Sequence, residues 1–151
     1  MKCRLFQPAL LAILCFTQSV TAGESTVDST KPFAEAHIVL QLGDGDPKIQ
    51  SRVLNVANNL IKHYGDPELV ELEIVTYDSG ITLLQPDNPN VDRITSLLVS
   101  QVRFVVCMNT VETMALLTGK KPQIIAEAIP VKTGVAHLVD RAKQGYVVIR
   151  P

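Results

Sequence analysis

The chain has 151 residues, 46% of them hydrophobic, with 14 Lys and Arg against 15 Asp and Glu for a formal net charge of −1. No clustered excess of Lys and Arg is visible, which excludes recognition of nucleic acid or an anionic membrane through a basic patch. The length suits one domain with a substantial apolar core.

The first residues, Met1-Lys2-Cys3-Arg4, carry two positive charges and precede an apolar run from Ala9 to Phe16 and then Val20-Thr21-Ala22. This reads as a secretory signal peptide, residues 1–22, cleaved after Ala22. The run is well short of the ~20 residues a bilayer-spanning helix needs, and Val20 and Ala22 fit the small-residue cleavage pattern. A lipid-anchored leader would need a small residue before Cys15, where Leu14 stands. Removing 22 of the 151 residues leaves 129 and takes two of the 14 basic side chains and no acidic one, so the net charge moves from −1 to about −3. The expected compartment is the periplasm, with no membrane attachment after cleavage. Cys3 and Cys15 leave with the leader, so the exported chain holds one cysteine, Cys107. Exported proteins usually pair their cysteines, and a single one is either an inert buried thiol or a working one.

Residues 23–35 are small, polar and unpatterned and predict a disordered leader. Ala36 to Leu42 is nearly continuous in apolar character, as expected of a strand covered on both faces. Gly43-Asp44-Gly45-Asp46-Pro47 ends it, with Asp46 as helix N-cap and Pro47 at the first helical position. The two glycines resemble a phosphate loop superficially, but two carboxylates repel a phosphate and no lysine-bearing pattern is present. A calcium loop fails because the acidic positions do not continue at the required spacing. The next helix places Ile49, Val53, Val56, Ala57, Leu60 and Tyr64 on one face and stops at Gly65. Val70 to Tyr77 alternates apolar with charged residues at Glu71 and Glu73, which predicts a strand with one face partly wet, near a sheet edge.

Residues 79–89 are turn-rich around a short apolar Ile81-Leu83-Leu84, and Asp87 or Asn90 caps a helix carrying Val91, Ile94, Leu97 and Leu98. Val102 to Val106 is a buried strand with Cys107 where it runs out. Asn109 as N-cap and Glu112 three residues on then have the spacing of a capping box, ahead of a helix closed by Gly119. Ile124, Ile125, Ala128 and Ile129 offer a short strand that Pro130 limits. Val135, Leu138, Val139 and Ala142 mark a last helix, and Tyr146 to Ile149 a last buried strand.

Strands alternating with helices specify an α/β fold: a three-layer α/β/α sandwich with a mostly parallel sheet of about five strands, over a single domain at 36–151. In such sheets sites form at the carboxyl ends of strands, beside a topological switch point. The Gly43–Pro47 loop, the Tyr77–Gly80 loop and Cys107 lie on that edge. Cys107 is the candidate catalytic nucleophile, because backbone N–H groups and the positive end of a helix dipole favour thiolate over thiol. The opposing terms are burial, common for free cysteine, and nearby carboxylates at Asp44, Asp46 and Glu112, which raise a thiol's pKa. Met108, Asn109 and Thr110, as N–H donors to a sulfur anion, and Asp44 and Gly45, on the same edge, are the candidate substrate contacts. His37, His63 and His137 are far apart without metal-ligand spacing, so no metal or other cofactor is expected; His137, on the first turn of the last helix, is the one placed to approach the edge.

The blocks "VLQLGDGDP", "LNVANNLIKHYGD", "DNPNVDRI", "VRFVVCMNT" and "QGYVVIRP", in that order over residues 36–151, resemble the DsrE/DsrF-like (YchN-like) family. The resemblance implies an α/β/α sandwich with a five-stranded parallel sheet, assembled as a homotrimer or hexamer. It also implies sulfur relay, in which a cysteine after the third strand takes up sulfur as a persulfide from one partner protein and passes it to another; Cys107 occupies that position. The export signal departs from the family's cytoplasmic habit. The expectation is therefore a periplasmic thiol protein that binds or relays sulfur through Cys107. The alternatives are a non-enzymatic homo-oligomeric interaction module in which Cys107 is packing, and a thiol-ligated metal carrier, for which no second ligand is apparent.

Overall fold

The computed structural model describes residues 31–151, so the expected signal peptide and most of the expected leader lie outside the described residues. The elements run β1 Ala36–Leu42, α1 Pro47–Tyr64, β2 Val70–Thr76, α2 Val91–Val99, β3 Arg103–Cys107, α3 Met108–Thr118, β4 Ile129–Val131, α4 Gly134–Lys143 and β5 Val147–Ile149. Short 3-10 segments at Pro67–Leu69 and Asp78–Leu84 complete them. The five strands form one fully parallel sheet in the order β4-β3-β2-β1-β5. The α/β sandwich expected from the alternation of elements is the observed architecture.

The chain steps from β1 to β4 in one direction and then returns across the whole sheet to β5, and that return places the layers. Right-handed crossovers put every helix of the outward steps on one face and the helix of the return step on the other. The first face carries the main core, in which Ile38, Leu40, Leu42, Leu72, Ile74, Phe104 and Val106 pack with α1, α2, Val111 of α3 and the 3-10 segment. Ile81, Leu83 and Leu84 of that segment are fully buried, so the apolar triplet inside the turn-rich stretch is a core plug. The second face is covered by α4, over a smaller cluster of Val39, Val75, Val105, Leu138 and Tyr146.

Local signals at α1 act as expected. The Asp46 carboxylate accepts from the Lys48 N–H, Pro47 opens the helix, and Gly65 ends it at φ 79, where a side chain would be strained. Four expectations need correction. β2 is not a half-wet strand near an edge; it lies between β1 and β3 with every residue buried, Glu71 and Glu73 included. β5 is an edge strand with Val147 and Val148 exposed rather than a buried one. Pro130 sits within β4, the opposite edge strand, where its missing N–H costs no ladder bond. Lys31 to Glu35 do not belong to a free leader, because Lys31 is buried with its ammonium on the Pro67 and Val70 carbonyls, and the Glu35 N–H donates to the Leu69 carbonyl.

Candidate functional site

β3 is followed by α3 on the first face, and β4 by α4 on the second. Chain leaving two adjacent strands in opposite directions opens a crevice between their carboxyl ends, where open α/β sheets bind ligands. Cys107 is the last residue of β3, registered with Val131 of β4, so it lies at that crevice. Its extended backbone (φ −76, ψ 111) makes it the N-cap of α3, which begins at Met108. The capping box expected at Asn109 and Glu112 is therefore displaced: Asn109 lies inside the first turn, and its side-chain amide donates to the Thr133 hydroxyl at 3.0 Å.

Two helices point their amino ends at the sulfur. α3 begins at the next residue and brings the Thr110 hydroxyl and the backbone amides of Thr110 and Asn109 beside Cys107, and Gly134, the first residue of α4, packs against it from the other side. Burial alone pushes the thiol up; the Thr110 hydroxyl and the three amides outweigh it, and Cys107 titrates below the ordinary 9.0. Burial, Thr110, Gly134 and Asn109 have larger effects on this balance than Asp44, Asp46 or Glu112. Gly134 is what permits the approach, since a Cβ there would stand 3.2 Å from the Cys107 Cβ and 3.3 Å from the Tyr77 Cβ. The crevice is laced together by the Asn109 N–H donating to the Lys132 carbonyl at 3.1 Å.

Cys107 is 5% exposed and unpaired, so the thiol is almost covered rather than open. Its cover is polar: Asn109 is exposed and Thr110 and Thr133 are half-buried. Met108 has turned to the main core. Asp44 and Gly45 reach the site indirectly. The Asp44 carboxylate accepts from the Asp46 N–H, and the Gly45 N–H donates to the Ser79 hydroxyl, while the neighbouring Asp78 N–H donates to the Thr110 hydroxyl oxygen at 3.1 Å. The ring of Tyr77 fills the space over Gly43, where a Cβ would meet it at 2.7 Å, so the three loops expected on this edge do meet. Three cavities, of 660, 250 and 460 Å³, are lined by other residues, and Cys107 lines none of them.

His137 does not approach the sulfur. Its Nε2 lies 2.9 Å from Glu73, in a cluster of buried charges on the α4 face that the alternating pattern of β2 had suggested was solvated. Glu73 also receives Arg141 through Nε at 3.1 Å and a terminal nitrogen at 2.8 Å, and Arg103 at 2.7 Å. Glu71 pairs with Arg103 and with His37. Burial pushes the Glu73 carboxyl up, but hydrogen bonds from His137 and Arg141 and the charges of Arg103 and Arg141 hold it below the usual carboxylate range. Two glutamates on one face of an otherwise apolar strand were the available signal; their partners stand on β1, β3 and α4, beyond the reach of any local spacing.

Among the described residues no group of three His, Cys, Asp or Glu side chains could hold a metal, and no helix is long and apolar enough to cross a membrane. No protein-family model matches the chain, and no curated protein matches it. The fold is similar to that of a solved protein of unknown function, MTH1491 from Methanobacterium thermoautotrophicum. That likeness has a TM-score of 0.69 at 24% identity and covers 78% of this chain and 100% of that one.

Proposed function

We propose that this is an exported, periplasmic DsrE-like thiol protein that carries sulfur on Cys107. The observation that supports this most is the convergence of two helix amino ends and the Thr110 hydroxyl on one unpaired sulfur at the switch-point crevice. The Cys107 thiolate attacks the terminal sulfur of a donor persulfide; the new Sγ–S bond forms as the donor's S–S bond breaks, and the donor leaves as a thiolate. The terminal sulfur keeps its proton or loses it to water, and no net oxidation occurs. The Thr110 hydroxyl and the backbone amides of Thr110 and Gly134 beside the sulfur stabilise the outgoing charge when the sulfur is passed on. On this reading a donor or acceptor protein brings its persulfide or thiol to the crevice at Cys107. The same reading has the protein work as a homo-oligomer, trimer or hexamer. Exposed Leu116 and Leu117 on α3 support self-association, which sedimentation reads directly.

The test is intact-mass analysis after exposure to a low-molecular-weight persulfide. One added sulfur atom on the native protein and none on Cys107→Ser is the expected result; no added sulfur on the native protein refutes the reading. The 5% exposure of Cys107 favours a second reading, an interaction module in which the cysteine is packing. On that reading Cys107→Ser leaves assembly and partner binding intact and the native thiol labels slowly at every pH.

A further inference from the structure

We infer that Glu73 is a positioning residue for the Cys107 site: by holding His137 and Arg141 it clamps α4 so that the helix's amino end lies over the thiol. This rests on reading Cys107 as a working thiol and adds what controls it.

The geometry is a lever spanning the neighbouring strands β2 and β3. α4 runs back across the second face, with Gly134 against Cys107 at the end of β3 and Arg141 at Glu73, whose register partner Arg103 begins β3. From Gly134 to Arg141 the helix rises about 10 Å, and from Arg103, the register partner of Glu73, to Cys107 the sheet rises about 13 Å, so the two contacts sit at opposite ends of the helix and of the β2–β3 pair. What holds the helix between them is largely electrostatic. Only Gly134 and Leu138 of α4 are buried, while Val135 and Val139 face solvent at 53% and 49% exposure. One leucine is a small apolar anchor for a ten-residue helix, whereas Glu73, 1% exposed, takes hydrogen bonds from both His137 and Arg141. The carboxylate faces Arg103 from β3 as well, and beside it Glu71 holds Arg103 and faces His37 from β1, with Tyr146 donated to by Arg103 and stacked under Arg141. Two buried carboxylates thus meet two guanidiniums, and the α4 guanidinium belongs to Glu73. A fully buried carboxylate whose partners include a helix with one buried leucine fixes that helix in orientation, because leaving the ion pair strands a buried charge. The same helix sets Gly134 against Cys107, where a Cβ would stand 3.2 Å from the Cys107 Cβ, so the clamp sets how closely the helix's amino end approaches the thiol and with it the thiol's charge balance and access.

The test uses the full mature chain and its variants Glu73→Gln and Arg141→Met, with His37→Gln as a control at the β1 end of the cluster. Two quantities are read: the pH midpoint of thiolate ultraviolet absorbance, and hydrogen exchange of the Gly134–His137 amides. The clamp requires faster exchange in that turn for Glu73→Gln and Arg141→Met. It also requires an upward midpoint shift corresponding to a roughly tenfold smaller thiolate population near neutral pH, since a hydrogen bond to a charged sulfur is loosened. His37→Gln should leave both near the native values. A folded Glu73→Gln or Arg141→Met with native exchange and native midpoint overturns the inference, as does an equal shift in His37→Gln, which would mark general softening. If Glu73→Gln fails to fold, Arg141→Met decides, because it leaves Glu73 with Arg103 and His137. Failure of the native protein to take up sulfur defeats the carrier reading alone, since the clamp is judged by differences between variants and native protein.

Discussion

Gly134→Ala separates two opposing effects at the crevice. Ala reduces the freedom of the unfolded chain, which stabilises by about 0.4–1 kcal/mol where the native backbone tolerates it. Against this, the new methyl carbon would stand 3.2 Å from the Cys107 Cβ and 3.3 Å from the Tyr77 Cβ, inside the ~3.5–4.0 Å that carbons prefer. Both obstacles are Cβ atoms bonded directly to backbone, so neither can swing aside, and crowding of this kind costs about 1–3 kcal/mol. Crowding wins, for a net loss of about 1 kcal/mol. The first turn of α4 gives by a few tenths of an ångström, carrying the Gly134 N–H away from the sulfur, so the thiol titrates higher than in the native protein. Urea denaturation and thiolate absorbance against pH measure the two consequences. A variant more stable than the native protein with an unshifted thiol titration would refute the placement of this amide on the sulfur.

Thr110→Val removes the hydroxyl that favours the thiolate and accepts from the exposed Asp78 N–H; the thiolate population near neutral pH should fall roughly tenfold, with little loss of stability because water can take the Asp78 N–H. Alkylation rate against pH reads this, and an unchanged profile counts against the hydroxyl. Glu73 is held below its ordinary 4.5, so it contributes stability that is present above 4.5 and is lost as pH falls through its lowered folded value. The urea midpoint should therefore drop in acid more steeply for the native protein than for Glu73→Gln, and parallel curves would contradict the ion cluster. Gly80→Ala would put a Cβ 2.3 Å from the Leu42 carbonyl oxygen, a backbone atom; a loss of about 3 kcal/mol or more is expected in thermal melting, and a native melting curve would show that the 3-10 segment does not pack as described.

Local chemistry written in adjacent residues was enough for the alternation of elements, the Asp46–Pro47 start of α1, the Gly65 and Gly119 stops and the place of Cys107 where β3 runs out. A cap, a stop or an apolar run acts over a turn or two, so its signal survives without knowledge of neighbours. Even there the cap of α3 moved two residues back, because the extended backbone of β3 ends at Cys107 and Asn109 is drawn to Thr133. Only the tertiary structure decided the rest. Strand order put β2 inside the sheet, and with it Glu71 and Glu73 in contact with charges more than 30 residues away. The return crossover set α4 alone on its face with Gly134 against Cys107. An alternating V-E-L-E pattern looks the same whether water or arginine meets the carboxylates, and which of them does is a property of the assembled sheet.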